Sequence, residues 1–288
     1  MKKQDSVCFL IPLHEEKFSY GTDIISSYNK FFGCDNIFIV FSNEFESNLF
    51  LEQNRTLCYN SIIYPYLIDN AAAIKKKFFG IEYLFTNLNY EYVICIDSDA
   101  PFLRNADLLA ICEKFYINKI LFGNSIVKND FMNSIICSSQ RFFDKLIAEK
   151  IGKLLEDNTL YFWFNEIPIY KKDVFNRFKH KIDLNRIFQD ISWYDFEYIF
   201  YGYYCLIYED FSMIKINNHS YNNCSFLEGP FKVNPFTFLK GLFLIKPHWL
   251  TKRVPFYSKA FLLFHVDRKS KFDIILLKLL KIKNFWQW

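Results

Sequence analysis

A chain of 288 residues, 51% hydrophobic and 20% aromatic, is long enough to bury a full core and far too apolar to be disordered. Its formal net charge is +4, with lysine and arginine spread along the chain. No nucleic-acid partner is expected, since that role calls for a concentrated basic stripe.

The first hundred residues alternate between two periodicities. Val7 to Ile11 is a continuous apolar run closed by Pro12 and reads as a buried strand. Thr22 to Phe32 carries Ile24, Ile25, Tyr28, Phe31 and Phe32 at helical spacing and ends at Gly33, a natural stop. Ile37 to Phe41 predicts a second strand, Glu44 to Gln53 a helix, and Ser61 to Tyr64 a third strand ending at Pro65. Asn70 is placed to cap the next helix, whose stripe is Ile74, Phe78, Ile81 and Phe85. An apolar strand then runs into Asp97. This order predicts an α/β fold, a parallel sheet with crossover helices.

After residue 100 the alternation weakens. Asp107 to Tyr116, Gln140 to Leu155, Asp173 to Phe178 and Ile191 to Tyr203 predict helices. Tyr161 to Tyr170, which contains Pro168, predicts an edge or bulged strand. Cys205 to Tyr208 and Met213 to Ile216 are short strand candidates.

Val93-Ile94-Cys95-Ile96-Asp97-Ser98-Asp99 is the most informative stretch. Alternate side chains of a strand share a face, so Asp97 and Asp99 are expected to converge while Ser98 points away. Their mutual repulsion beside an apolar core calls for a cation. Hard oxygen donors select Mg²⁺ or Mn²⁺, which would in turn hold a diphosphate. The plainer reading is an acidic turn after a strand. Open α/β sheets bind ligands beyond the carboxyl ends of their strands. Asp97 and Asp99 fall at such an end, as do Pro12-Leu13-His14-Glu15 and Ser42-Asn43-Glu44.

An apolar strand followed by Asp-x-Asp resembles the GT-A glycosyltransferases, which use nucleotide-sugar donors. Phe196-Glu197-Tyr198-Ile199-Phe200-Tyr201-Gly202 is similar to the S-E-Y-E-x-Y-G segment of bacterial glycosyltransferase-like proteins linked to surface polysaccharides. Glu197, Tyr198, Tyr201 and Gly202 match it, whereas Phe196 and Ile199 depart from the Ser and the second Glu. Lys76-Lys77-Phe78 resembles a Lys-Lys-Phe in the helix before the acidic strand of that group. The resemblance implies a GT-A fold, with a Rossmann-like mixed sheet flanked by helices. It also implies transfer of a sugar from a nucleotide-sugar donor to a saccharide acceptor, aided by Mn²⁺ or Mg²⁺, in lipooligosaccharide or capsule assembly. In that reading Asp99 binds the metal directly, Asp97 binds it or the ribose, Pro12 and His14 border the nucleotide, and Lys76 or Lys77 screens the diphosphate. Glu197 or Asp195 would take the acceptor proton, with Trp193 and Tyr198 stacking on sugar rings. The plainer role for Glu197 is a structural cap or pair.

Glu166, an acid within an apolar stretch, is an acceptor-contact candidate. In Lys246-Pro247-His248-Trp249, His248 is the best placed third metal ligand and Lys246 could meet phosphate. His219 and His265 are its rivals. No G-x-S-x-G, Walker A or G-x-G-x-x-G motif occurs. A sugar-phosphate nucleotidyltransferase is the rival enzyme, though the Gly-rich loop it needs after the first strand is missing. A non-catalytic glycan-binding protein on a transferase fold is the other alternative.

The eight cysteines include no C-x-x-C pair, and several lie in apolar runs, so a reduced, cytoplasmic protein is expected. Met1 to Ser6 is polar and lacks a signal-peptide pattern. No apolar run reaches the roughly 18 residues of a spanning helix. Lys271 to Trp288 instead places Lys271, Lys278 and Lys281 on one helical stripe with Leu, Ile and terminal Trp around it. That pattern fits an interfacial helix on the anionic inner face of the plasma membrane, and a core-docked last helix is its alternative. A lipid-linked glycan acceptor would suit such anchoring. The expected division is a GT-A domain over 1–255 and a helical extension over 256–288.

Overall fold

Strands buried on both faces have no need to alternate polar with apolar residues. Every residue of β1 (Val7–Pro12), β2 (Ile37–Phe41) and β4 (Tyr92–Cys95) is buried, which explains their unbroken apolar sequences. The computed structural model describes residues 6–66, 71–99, 101, 102, 105–123, 134, 135, 137, 138, 140–157, 168–182, 184–192 and 194–215. With β3 (Asn60–Ile63) and β6 (Ile169–Lys171) these strands form a five-stranded sheet in the order β3-β2-β1-β4-β6. The first four are parallel, and β6 closes the edge antiparallel to β4 with Val93 opposite Tyr170. The fold is α/β, a mixed and mostly parallel Rossmann-like sheet with helices on both faces.

The pleat of β1 divides the core in two. Phe9 and Ile11 face α1 (Phe18–Phe32), with Phe50 of α2 (Glu44–Gln53) and Cys112 of α4 (Leu108–Asn118) in the same layer. Cys8 and Leu10 face α3 (Ala72–Asn87). Behind it pack α5 (Lys145–Asp157), α6 (Lys172–Lys181) and α8 (Glu197–Tyr208). The helix α7 (Leu184–Asp190) precedes α8, and β5 (Ile120–Gly123) pairs in parallel with β7 (Ser212–Lys215) in a separate two-stranded sheet.

The expected stripe of α3 is correct: Ile74, Phe78, Ile81 and Phe85 are all buried. Other expectations need correction. Helix α1 starts at Phe18, after a 3-10 turn at Glu15–Lys17, rather than at Thr22. Ala71 occupies the N-cap of α3, and Asn70 lies outside the described residues. Cys205–Tyr208 is the last turn of α8, not a strand, and 191–196 precede that helix. A short apolar run does not reveal its period, and α8 is buried on nearly all sides. The pairing of β5 with β7 had no local signal. Residues 216–288 are not described, so the 1–255/256–288 division, the Lys271–Trp288 tail, Lys246 and His219, His248 and His265 fall outside. No helix among the described residues is long and apolar enough to cross a membrane.

Close contact between α3 and the sheet depends on Gly80. A Cβ there would lie 2.7 and 2.8 Å from the methyls of Leu10 and 2.9 Å from Cγ2 of Val40. Both neighbours are fully buried, so neither can swing away. Gly152 in α5 offers a contrast, since the nearest atom to its Cβ position is 3.7 Å away. Alanine is favoured over glycine in a helix by about 1 kcal/mol. Gly152→Ala should therefore raise the urea midpoint, while Gly80→Ala should lower it despite the same propensity gain, because overpacking costs about 1–3 kcal/mol. Equal shifts in urea denaturation would show that α3 does not pack this closely.

Candidate functional site

The chain order reverses beside β1. From β1 the connections step outward through β2 to β3, and the next strand, β4, joins β1 on its other side. The crevice beyond the carboxyl ends of β1 and β4 is therefore the topological switch point, where open α/β sheets take ligands. The two loops leave side by side, since Ile96 N–H donates to Leu10 O at 3.0 Å.

Two consecutive lysines of α3 reach this edge and have different surroundings. The Lys76 ammonium is buried and donates to Leu13 O at 2.7 Å and Ser42 Oγ at 2.6 Å. It also lies 3.2 Å from His14 Nδ1 and 3.8 Å from Glu46 Oε2. Glu46 in turn accepts from Ser42 N–H at 2.8 Å, and Asn43 caps α2 by accepting from Glu46 N–H. Burial pulls the Lys76 pKa down to about 8, with Glu46 opposing. Burial and then the Lys76 charge also lower the His14 pKa. Lys76 thus clasps the ends of β1 and β2. Of the two lysines expected to screen a diphosphate, Lys76 thus has its ammonium buried among these partners.

Lys77 joins two acids that are distant in sequence. Its Nζ lies 2.8 Å from Asp97 Oδ1 and 2.9 Å from Glu197 Oε1. The contact with Glu197 is a charge pair without hydrogen-bond angles, and Glu197 Oε2 has no hydrogen-bond partner. Glu197 is fully buried at the first turn of α8, whereas the Asp97 side chain is 54% exposed. Burial opposes the Lys77 charge, but Asp97 and then Glu197 outweigh it, and its pKa rises well above the lysine value. Burial raises the Glu197 pKa, Lys77 works against the rise, and Asp97 adds to it.

The acids after β4 do not follow strand geometry. β4 ends at Cys95, so Asp97 and Asp99 sit in the following turn, and alternation does not set their directions. Asp97 is exposed, whereas Ser98 and Asp99 are both buried. Asp195, a proton-acceptor candidate, is fully buried. It pairs with Arg141 Nη2 at 2.6 Å and accepts from Ser192 N–H at 2.6 Å and Ser192 Oγ at 2.9 Å. These contacts tie Asp195 to the turn before α8. Pro12 is the buried last residue of β1, and half-buried Tyr198 packs on Phe196 at 5.7 Å. Trp193 and Glu166 lie outside the described residues.

The Lys77–Glu197 pair went unanticipated, although the sequence held a signal for it. Lys77 falls three residues after Ile74 and one before Phe78, within the apolar stripe, so its stem must run toward the core.

Asp97 and Asp99 offer hard carboxylate oxygens of the type Mg²⁺ or Mn²⁺ prefers. Among the described residues no group of three or more His, Cys, Asp or Glu could hold a metal. A dedicated protein cage is not required, because Mg²⁺ is commonly held by one or two carboxylates plus substrate phosphates. Asp97 offers its carboxylate to solvent, whereas Asp99 is buried.

No family model and no curated protein matches the chain. Among solved structures it is similar to mannose-1-phosphate geranyltransferase from Thermus thermophilus, with a TM-score of 0.31 and 8% identity, covering 73% of this chain and 69% of that one. So low a likeness decides nothing about chemistry. The residues themselves carry the functional reading.

The ion triad sets a pH signature. With its folded pKa raised, Glu197 binds more protons in the folded than in the unfolded protein, so its contribution to stability falls as pH rises from the ordinary glutamate value through the raised one. Glu197→Gln should abolish that fall. Lys77→Met leaves a buried acid without a partner and should cost about 3–5 kcal/mol above the raised Glu197 value, and less below it, where the acid is neutral. Urea denaturation across pH measures both effects. A pH-independent cost for Lys77→Met would contradict the pairing.

Proposed function

We propose that this chain is a glycosyltransferase that moves a sugar from a nucleoside diphosphate sugar to a saccharide acceptor at the switch point between β1 and β4. One observation carries the reading: Lys77, Asp97 and Glu197 meet in a single ion triad at that crevice. They come from three separate segments, each of which resembles glycosyltransferase sequences.

The chemistry suits a diphosphate leaving group. The α3 N-terminus, the positive end of its dipole, lies at the carboxyl edge together with Lys77. Lys77 is offset by its two carboxylates, so a diphosphate would reach Asp97 together with a cation, with the α3 N-terminus adding favourable potential. Asp97 and Asp99 would hold Mn²⁺ or Mg²⁺ brought in with the donor, which when bound neutralises charge developing on the departing diphosphate. Asp97 is the exposed carboxylate of the triad and the group assigned to meet the donor. Glu197 has no exposed surface, so it acts through Lys77 as a positioning residue rather than on an acceptor hydroxyl. Half-buried His14 borders the crevice from β1, beside buried Pro12.

The acceptor assignment rests on the sequence resemblance: a bacterial surface glycan, lipooligosaccharide or capsule, with a lipid-linked form as one acceptor type. We assign the chain a peripheral place on the inner face of the plasma membrane on the basic and aromatic residues of 271–288. Deleting 271–288 should release the protein from anionic vesicles in a flotation assay while leaving transfer to a soluble acceptor intact. Unchanged flotation would refute the membrane assignment.

A thermal-shift panel of nucleoside diphosphates, with Mn²⁺ or with chelator, tests the donor site, because a ligand of the native state raises Tm. One nucleotide should stabilise the protein, more strongly with Mn²⁺, and Asp97→Asn and Asp99→Ala should each lose that increment. Asp97→Asn should also reduce sugar transfer by about 100-fold or more, in the range of a removed electrostatic contact. No shift with any nucleotide would reject the proposal. Pyrophosphate release from a nucleoside triphosphate and a sugar phosphate would favour the nucleotidyltransferase alternative.

A further inference from the structure

The opposite edge of the sheet brings two thiols together. Cys34 lies in the loop between α1 and β2, and Cys58 just before β3; both are exposed. Although a strand and a helix separate them along the chain, they line one cavity of about 470 Å³ together with Leu51, Tyr59 and Asn60. Both segments are fixed by the same side chain. Asn29 donates from Nδ2 to Gly33 O at 3.2 Å and to Cys58 O at 2.9 Å, and its Oδ1 accepts from Cys58 N–H at 3.0 Å. The Cys34 loop is held further by Tyr28, which donates to Asp35 O at 2.8 Å, and by Phe9 N–H, which donates to Asn36 O at 2.8 Å. The Cys58 thiol beside it raises the Cys34 pKa.

One Asn29 amide holds both the Gly33 and the Cys58 carbonyl, so the two exposed thiols stand on adjoining segments around a single cavity, the kind of proximity a disulfide needs. We propose that Cys34 and Cys58 form a reversible intramolecular disulfide by exchange with a small-molecule disulfide such as oxidised glutathione. The Cys58 thiolate attacks one sulfur of the oxidant, the oxidant's S–S bond breaks, and one thiol leaves. The Cys34 thiolate then attacks Cys58 Sγ in the mixed disulfide and expels the second thiol. Two protein thiols are oxidised to one S–S bond, one oxidant disulfide is reduced to two thiols, and the two protein protons pass to the departing thiolates. The staple joins the α1–β2 and α2–β3 connections far from Lys77, so it should leave donor binding unchanged and stabilise the fold by restricting the unfolded chain.

The reduced full chain is treated with oxidised glutathione under native conditions, remaining thiols are alkylated, and the digest is read by mass spectrometry. Expected is a cross-linked pair of peptides carrying Cys34 and Cys58. The exposed Cys137 is the internal comparator and should carry a glutathione adduct or the alkyl group instead. The oxidised protein should melt about 5–10 °C higher, the shift expected from closing a loop of this size in a protein of this length, and dithiothreitol should reverse the rise. Cys58→Ser should yield a glutathione adduct at Cys34 and no such rise. Separate adducts on Cys34 and Cys58, intermolecular cross-links, or alkylation of both thiols while Cys137 is oxidised would each overturn the proposal.

Discussion

A lysine ammonium inside an apolar layer must be offset by acceptors or negative charge, and that constraint organises the carboxyl edge of this protein. Lys77 comes from α3, Asp97 from the turn after β4, and Glu197 from the start of α8. One charge therefore ties together three elements that lie far apart along the chain. Glu197 needs the pair as much as Lys77 does, because a fully buried carboxylate with one oxygen lacking a hydrogen bond would otherwise be neutral. The partly exposed Asp97 is the point at which this buried network reaches water.

Lys76 shows what decides the outcome. It is as deeply buried as its neighbour, yet its main contacts are a carbonyl and a hydroxyl, with Glu46 only at 3.8 Å. Neutral acceptors offset less of the desolvation cost than carboxylates below 3 Å, and the two pKa values move in opposite directions. Successive helix positions differ by about 100°, so one lysine faces the strand ends and the other faces α8. The same dipeptide thus makes one structural clasp and one candidate site group.

Local pattern revealed the sheet well and the site in part. β1, β2, β4 and the α3 stripe were legible because burial on both faces leaves continuous apolar runs, and burial on one face leaves helical spacing. Asp97 and Asp99 were legible because they follow such a run. Their geometry was not, since β4 stops at Cys95 and side-chain alternation ends with it. The end of α8 was misread because Cys205–Tyr208 is apolar whichever way it folds. The Cys34–Cys58 contact had no local trace, because proximity at the amino edge follows from strand order, not from spacing along the chain.

Each of the three segments that resemble glycosyltransferases is by itself too short to decide anything. Their convergence is a different kind of observation. Lys77 and Glu197 have no steric need to meet: α3 and α8 also pack through Phe78 and Phe200, whose rings lie 6.1 Å apart, and an apolar residue at either position would fill that interface. Replacing a buried ion pair with well-packed apolar groups is often neutral or stabilising. Stability alone therefore does not account for the triad. A use for charge at the mouth of the switch point would, and the diphosphate of the proposed donor is one such use.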